Sequence, residues 1–265
     1  MYAARISNSS VWIPILRLVS DFGVPPMNIL TVKWGPRYPA AYVNKLYGST
    51  RAFGLKNARF LCYTDDAEGL DAGVEALPLP PIHLPEKYRW TFWRKLSLFD
   101  PALGLEGPCL YLDLDVVIVG DLQPLLANWS GRPRFIKSWV GPKTERRPKF
   151  DRINSSVMLF NGATCGKVLD FFQANRERVL ESYPGDQGFV YDCLAEDAEF
   201  FDAGLCVSFK KHCIPRFPCN LLRRPRVPAN ASIVVFHGKP DPHEAARGYR
   251  FGRMKHWCRS ASWVD

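Results

Sequence analysis

Short apolar runs alternate with stretches of helical periodicity along this chain. Ile29-Leu30-Thr31-Val32 has the length of a buried strand, and Ala40 to Ala52 carries Tyr42, Val43, Leu46 and Tyr47 at helical spacing. Arg59 to Thr64 reads as a second strand, ending in Asp65-Asp66. A Pro-rich loop, Pro78 to Pro85, leads into an aromatic helix predicted from about Tyr88 to Phe99. The most apolar strand, Cys109-Leu110-Tyr111-Leu112, then runs into Asp113. The second half is less regular. It holds a loop dense in Arg, Lys and Pro from Arg132 to Arg152, a strand at Ser156 to Phe160, and a helix from Lys167 to about Glu181. Another helix opens near Gly185, and a last strand, Ile233 to Phe236, ends at His237. Strands interleaved with helices predict an α/β domain with a mostly parallel central sheet and helices on both faces. No internal repeat or low-complexity linker interrupts the pattern. The expectation is one Rossmann-like domain over residues 28–242, an N-terminal extension at 1–27 and a tail at 243–265.

Composition narrows the class. A chain of 265 residues that is 47% hydrophobic hides roughly three quarters of its unfolded surface, which excludes intrinsic disorder. The formal charge of +9 invites nucleic acid, an anionic membrane or a phosphate-bearing ligand as partner. Eight cysteines show no C-x-x-C pair, which argues against a zinc cluster, and several sit in apolar runs where Cys acts as a small hydrophobe. Reduced thiols in a cytoplasm are the expectation. The apolar stretch Val11 to Val19 is broken by Pro14 and Arg17 and does not read as a signal peptide. No run approaches the roughly 18 apolar residues of a membrane span, so any membrane contact would be peripheral, through a tail rich in Arg247, Tyr249, Arg250, Phe251, Arg253, Lys255 and Trp257.

The candidate chemistry centres on Asp113-Leu114-Asp115 at the end of the most apolar strand. Residues two apart on a strand face the same side, and two carboxylates that close repel unless a cation or proton lies between them. Hard carboxylate oxygens suit Mg²⁺ or Mn²⁺, ions that bridge a diphosphate to protein. His237 ends another apolar strand; an imidazole ligand there tilts the choice toward Mn²⁺. Gly238 lets backbone approach a phosphate, and Lys239 adds positive charge. After the first strand, Lys33 offers charge to a phosphate and Trp34 a ring to stack on a base.

The run Tyr111 to Leu122 resembles the D-x-D region of glycosyltransferases with the GT-A fold, in particular the glycogenin and galactosyltransferase-like families eight and thirty-two. Asn154-Ser155-Ser156-Val157-Met158-Leu159-Phe160-Asn161, Asp186-Gln187 and His237-Gly238-Lys239-Pro240 resemble later motifs of these families in the same order, across roughly residues 28–242. Asp241 stands where the families commonly have Trp. The resemblance implies a GT-A fold and metal-dependent transfer of a sugar from a nucleoside diphosphate, a UDP-hexose above all, to a glycan or lipid-linked acceptor, with retention. It implies that Asp113 and Leu114 meet the nucleotide, that Asp113, Asp115 and His237 hold the metal, and that Lys239 neutralises the leaving diphosphate. Arg94 or Lys95 would reach the diphosphate or donor sugar, and Asn154, Asp186 and Gln187 would face the sugar.

Two other classes fit parts of the sequence. Asp113-Leu114-Asp115-Val116-Val117 also matches the D-x-D-x-V signature of haloacid-dehalogenase-like phosphatases, with Asp113 as nucleophile, although that motif usually lies on a first strand. The basic, aromatic stretches Arg132 to Arg152, Lys210 to Arg226 and the tail would suit a nucleic-acid or membrane module. No RNP, KH or helix-turn-helix pattern supports nucleic acid, which is not the expected partner.

Overall fold

A computed structural model describes residues 27–139 and 152–264. The extension at 1–26 and most of the basic loop from Arg132 to Arg152 lie outside the described residues. Four strands, β1 (Asn28–Lys33), β2 (Arg59–Thr64), β3 (Glu75–Pro78) and β4 (Pro108–Leu112), run parallel. They are joined in one sheet by β6 (Arg134–Lys137), β7 (Ile153–Asn161) and β8 (Glu199–Phe200), in the order β3-β2-β1-β4-β7-β6-β8. β7 is antiparallel to both β4 and β6, so the sheet is mixed beyond β4. The Arg132 to Arg152 stretch is not loop throughout: it opens with β6, whose buried Arg134 pairs with Glu199 at 3.1 Å.

The last predicted strand joins a separate sheet. β5 (Val116–Ile118) and β9 (Cys206–Ser208) flank β10 (Ile233–Val235), antiparallel and parallel respectively. His237 therefore follows a strand of a second sheet. The link is β5, which continues from β4 after one tight turn and pairs Val116 with Val235.

Both faces of the large sheet are covered, which is why its strands read as continuous apolar runs. Ile29, Phe60, Leu110 and Leu112 pack under Val43 and Leu46 of α1 (Ala40–Ala52). Leu30, Leu61 and Tyr111 face the opposite layer, where α3 (Lys167–Ser182) and α4 (Asp186–Leu194) bring Phe172 and Phe189. A one-turn helix α2 (Gln123–Leu126) follows β5. The predicted aromatic helix is a 3₁₀ segment, Phe92–Phe99, preceded by a short 3₁₀ turn at Glu86–Tyr88. Three residues per turn put Trp93, Leu96 and Phe99 in one line, and all three are buried in that second layer. Residues 243–264 pack on the domain: Ala245 and Ala246 of α5 (Pro242–Arg247), with Cys258, Ala261 and Val264, bury against Val117, Phe209 and Phe236. All eight cysteines are free thiols. Among the described residues no helix is long and apolar enough to cross a membrane.

Candidate active site

Strand order reverses between β1 and β4, and the carboxyl ends of β1, β2 and β4 open there into a crevice, the usual place for a ligand in an open α/β sheet. The crevice is a cavity of about 850 Å³. Trp34 and the turn from Gly35 to Tyr38 form one wall, Trp90, Phe92 and Lys95 the other, and Asp113 to Asp115 the floor. Gly35 adopts φ +59°, and its amide donates to Asp65 at the end of β2 at 3.0 Å, which pins the wall behind Trp34.

The two floor carboxylates do not sit along a strand. Asp113 follows β4, its amide still bonded to the Ser156 carbonyl at 2.9 Å, and Leu114-Asp115 form a tight turn closed by the Val116 amide on the Asp113 carbonyl. The turn nevertheless keeps both carboxylates on one cavity floor. Asp113 is held firmly: Lys95 Nζ lies 2.9 Å from each of its oxygens and the Tyr111 hydroxyl donates at 2.5 Å. Asp115 is the reverse case. Its Oδ1 is buried without a hydrogen-bond partner, and burial, reinforced by Asp113, pushes its carboxyl up to about 7. A buried carboxylate oxygen without a donor costs free energy unless a cation or proton reaches it.

Behind the floor, Ser155 of β7 ties three predicted residues together. Its hydroxyl donates to Asp186 at 2.9 Å and lies 3.4 Å from Lys95, and its amide donates to Gln187 at 3.1 Å. Asp186 opens α4 after the extended Gly185 and is buried, so it positions Ser155 and Lys95 and does not line the cavity. Burial raises the Asp186 carboxyl, with Lys95 and Ser155 opposing that rise. Asn154 accepts from the Ser156 amide at 3.1 Å and serves its own strand.

The remaining predicted residues are placed less simply. Lys33 is buried and committed to the Asp66 carbonyl and carboxylate, at 3.0 and 3.5 Å. Arg94 lies over the Trp90 ring at 5.8 Å, behind the cavity wall. Lys239 is ion-paired to Asp241 at 2.8 Å and Glu244 at 2.9 Å, part of the cap of α5. A different lysine lies nearby: Lys210 Nζ is 3.5 Å from where a side chain on Gly238 would begin, an ordinary contact, and it is φ +64° that calls for the glycine. Among the described residues Lys210 forms no ion pair, and burial with neighbouring Lys211 lowers its ammonium. His237 lies 2.7 Å from Ser208 Oγ and stacks on Trp139, with ring centroids 5.6 Å apart. Burial, then Lys210 and Lys211, push it down to about 4, which favours the neutral imidazole.

Among the described residues no three His, Cys, Asp or Glu side chains gather as a metal-binding group. The structure brings Asp113 and Asp115 together and leaves His237 outside, because its ring is held by Ser208 and Trp139. The donor set still fits a hard divalent ion: two carboxylates share the floor, and the orphaned Asp115 oxygen is the position a cation would satisfy. Sequence reasoning missed Tyr111, Ser155, Arg37 and Tyr38. Ser155, a hydroxyl in an otherwise apolar strand, carried a signal; Arg37 and Tyr38 carried none beyond following the first strand.

A mixed α/β sheet with a carboxylate-floored crevice at its switch point is the architecture of the GT-A fold. Solved structures agree. The chain is similar to an active-site mutant of LgtC (15% identity, TM-score 0.55) and to galactosyltransferase LgtC in complex with donor and acceptor sugar analogs (16%, 0.53), each pairing covering 82% of this chain and 89% of the other. It is also similar to the apo form of glycosyltransferase GlyE from Streptococcus pneumoniae TIGR4 (14%, 0.56), covering 87% of this chain and 58% of that one. No family model matches the chain, and no curated protein matches it by sequence.

Proposed function

We propose that this chain is a divalent-cation-dependent glycosyltransferase that moves a hexose from a nucleoside diphosphate, UDP above all, to a hydroxyl of a glycan or lipid-linked acceptor, with retention. The observation that carries the reading is the orphaned, buried Asp115 oxygen beside Asp113 on the floor of an 850 Å³ crevice, in a chain with the fold of glycosyltransferases. Asp113 and Asp115 would hold Mn²⁺ or Mg²⁺, and the ion would supply Lewis-acid assistance to the departing phosphate. The chain's own residues do the rest. Trp34 offers the wall on which a base stacks, Lys95 fixes Asp113 toward the floor, and Asp186 with Gln187 fixes Ser155 and, through it, Lys95. A phosphatase with Asp113 as nucleophile is not favoured, because Lys95 clamps both of that carboxylate's oxygens and its motif follows the fourth strand of the sheet.

A thermal-shift panel of sugar nucleotides tests the reading. At least one nucleoside diphosphate sugar is expected to raise the melting temperature with Mn²⁺ present and to do so far less after chelation. A flat panel across all bases would sink the proposal. Retention is read from the anomeric configuration of the first-formed product by NMR.

The assignment of the leaving-group cation has its own test. Lys210→Ala is expected to weaken nucleoside diphosphate binding about 10- to 100-fold, the worth of a charged hydrogen bond of ~1.5–3 kcal/mol, and to leave nucleoside binding unchanged. Lys239→Ala, whose ammonium is already paired, is expected to change it far less. Calorimetric titration of both variants decides, and the opposite ranking returns the role to Lys239.

A further inference from the structure

The C-terminal third carries a face that the sugar-transfer reading does not use. From Ala203 to Pro240, and again from Ala245 to Val264, the sequence contains no Asp or Glu. The fold brings these two stretches together. Asn220 Nδ2 donates to the carbonyls of Met254 and Trp257 at 2.9 and 2.8 Å, and the Arg259 guanidinium donates to the Leu222 carbonyl at 3.0 Å. Around this seam the large apolar side chains point outward: Leu222 is 78% exposed, Phe251 74%, and Phe217 and Met254 each 52%. Arg223, Arg224, Arg250, Arg253 and Lys255 are exposed beside them, and among the described residues none of these cations forms an ion pair.

Single exposed apolar residues are ordinary, but four large ones on one seam, bordered by five unpaired cations, are a composite surface. Each half suits one layer of a bilayer interface. Phenyl and aliphatic groups enter the headgroup boundary, while guanidinium groups on their own apolar stems reach lipid phosphates. Nucleic acid is a poorer fit, because Leu222 and Met254 have no ring to stack on a base. A protein partner would need both an acidic rim and an apolar pocket. We propose that this face, built from residues 216–226 and 249–259, docks the protein on an anionic phospholipid bilayer. The docking extends beyond the tail alone, since Phe217, Leu222, Arg223 and Arg224 precede β10, and it does not depend on the sugar-transfer reading.

Co-sedimentation of the full chain with vesicles tests this. Vesicles of phosphatidylcholine mixed with phosphatidylglycerol are expected to bind it and vesicles of phosphatidylcholine alone to leave it in the supernatant. Two variants separate the two halves of the surface: Leu222→Ser with Phe251→Ser, and Arg223→Gln with Arg224→Gln and Arg253→Gln. Each is expected to lose about tenfold or more in vesicle affinity with an unchanged melting temperature, because every substituted side chain is exposed. Equal binding to neutral vesicles, or anionic binding that survives both variants, overturns the proposal. So does a single-stranded oligonucleotide that displaces the protein from vesicles and binds the Ser variant as well as the parent; that result would assign the face to nucleic acid.

Discussion

Asp115→Asn is expected to lower sugar-nucleotide turnover by about two to three orders of magnitude while leaving the metal-free protein at least as stable as the parent. The two halves of this expectation come from one atom. Asp115 Oδ1 is buried and receives no hydrogen bond, and burial, with Asp113 beside it, pushes the carboxyl up to about 7. In the metal-free protein that carboxylate is a cost, so an uncharged side chain of the same shape does not destabilise the fold. In the proposed reaction it would hold positive charge where negative charge grows on the leaving phosphate. Losing such electrostatic stabilisation costs ~3–4 kcal/mol, or about 10²–10³ in rate. Turnover is followed by nucleoside diphosphate release and stability by melting with and without Mn²⁺. The variant should lose the Mn²⁺-dependent shift together with turnover. Retained turnover would remove Asp115 from the site, and a variant melting well below the parent would make it a structural carboxylate.

The sequence reveals this floor more readily than the frame around it, and the difference is physical. Asp113 and Asp115 stand out because charge ends the most apolar run, and strands β1, β2 and β4 are legible because both their faces are buried. Helix α1 ends where predicted because Val43, Leu46 and Thr50 form one buried stripe after Pro39. By contrast β5 and β9 have three residues each, too few to show a period, and β5 reads as a continuation of β4, while β10 is legible as an apolar run but not as part of a second sheet. The second sheet exists only through long-range pairing, Cys206 with Ile233 on one side and Ile118 with Ile233 on the other. Sequence separation also hides the polar network. Ser155 and Asp186 meet across 31 positions, and Lys95 and Asp113 across 18, so neither pair is a spacing motif. The D-x-D pair was legible as two carboxylates, whereas their unequal fates, one clamped and one orphaned, depend on which side chains other elements deliver. Lys239 shows the converse: a motif match places it in the site, and its neighbours Asp241 and Glu244 occupy its charge.

Lys95→Met should have the largest effect on stability. Lys95 is 6% exposed, with Nζ 2.9 Å from both Asp113 oxygens and 3.4 Å from Ser155 Oγ. Burial disfavours its charge, but Asp113 and Asp186 outweigh that and raise the ammonium above its ordinary value. Because the folded value lies above the unfolded one, this contribution is fully present at neutral pH and is lost only as pH rises through the folded value. Removing the cation leaves Asp113 and the buried Asp186 facing one another without compensation. Breaking a buried pair by deleting one partner costs about 3–5 kcal/mol, which in a chain of this size lowers the melting temperature by roughly 10 °C. The loss should shrink in acid, where the stranded carboxyl groups can take up a proton. Adding Asp186→Asn should recover part of it, since the two changes act on one network and are not additive. Lys95→Arg is not expected to rescue, because a planar guanidinium cannot take the place of a point charge shared by Asp113, Ser155 and Asp186. Melting curves of the three variants at neutral and mildly acid pH decide the matter. A Lys95→Met protein that melts within a few degrees of the parent would mean that the crevice floor holds its two carboxylates without this ammonium.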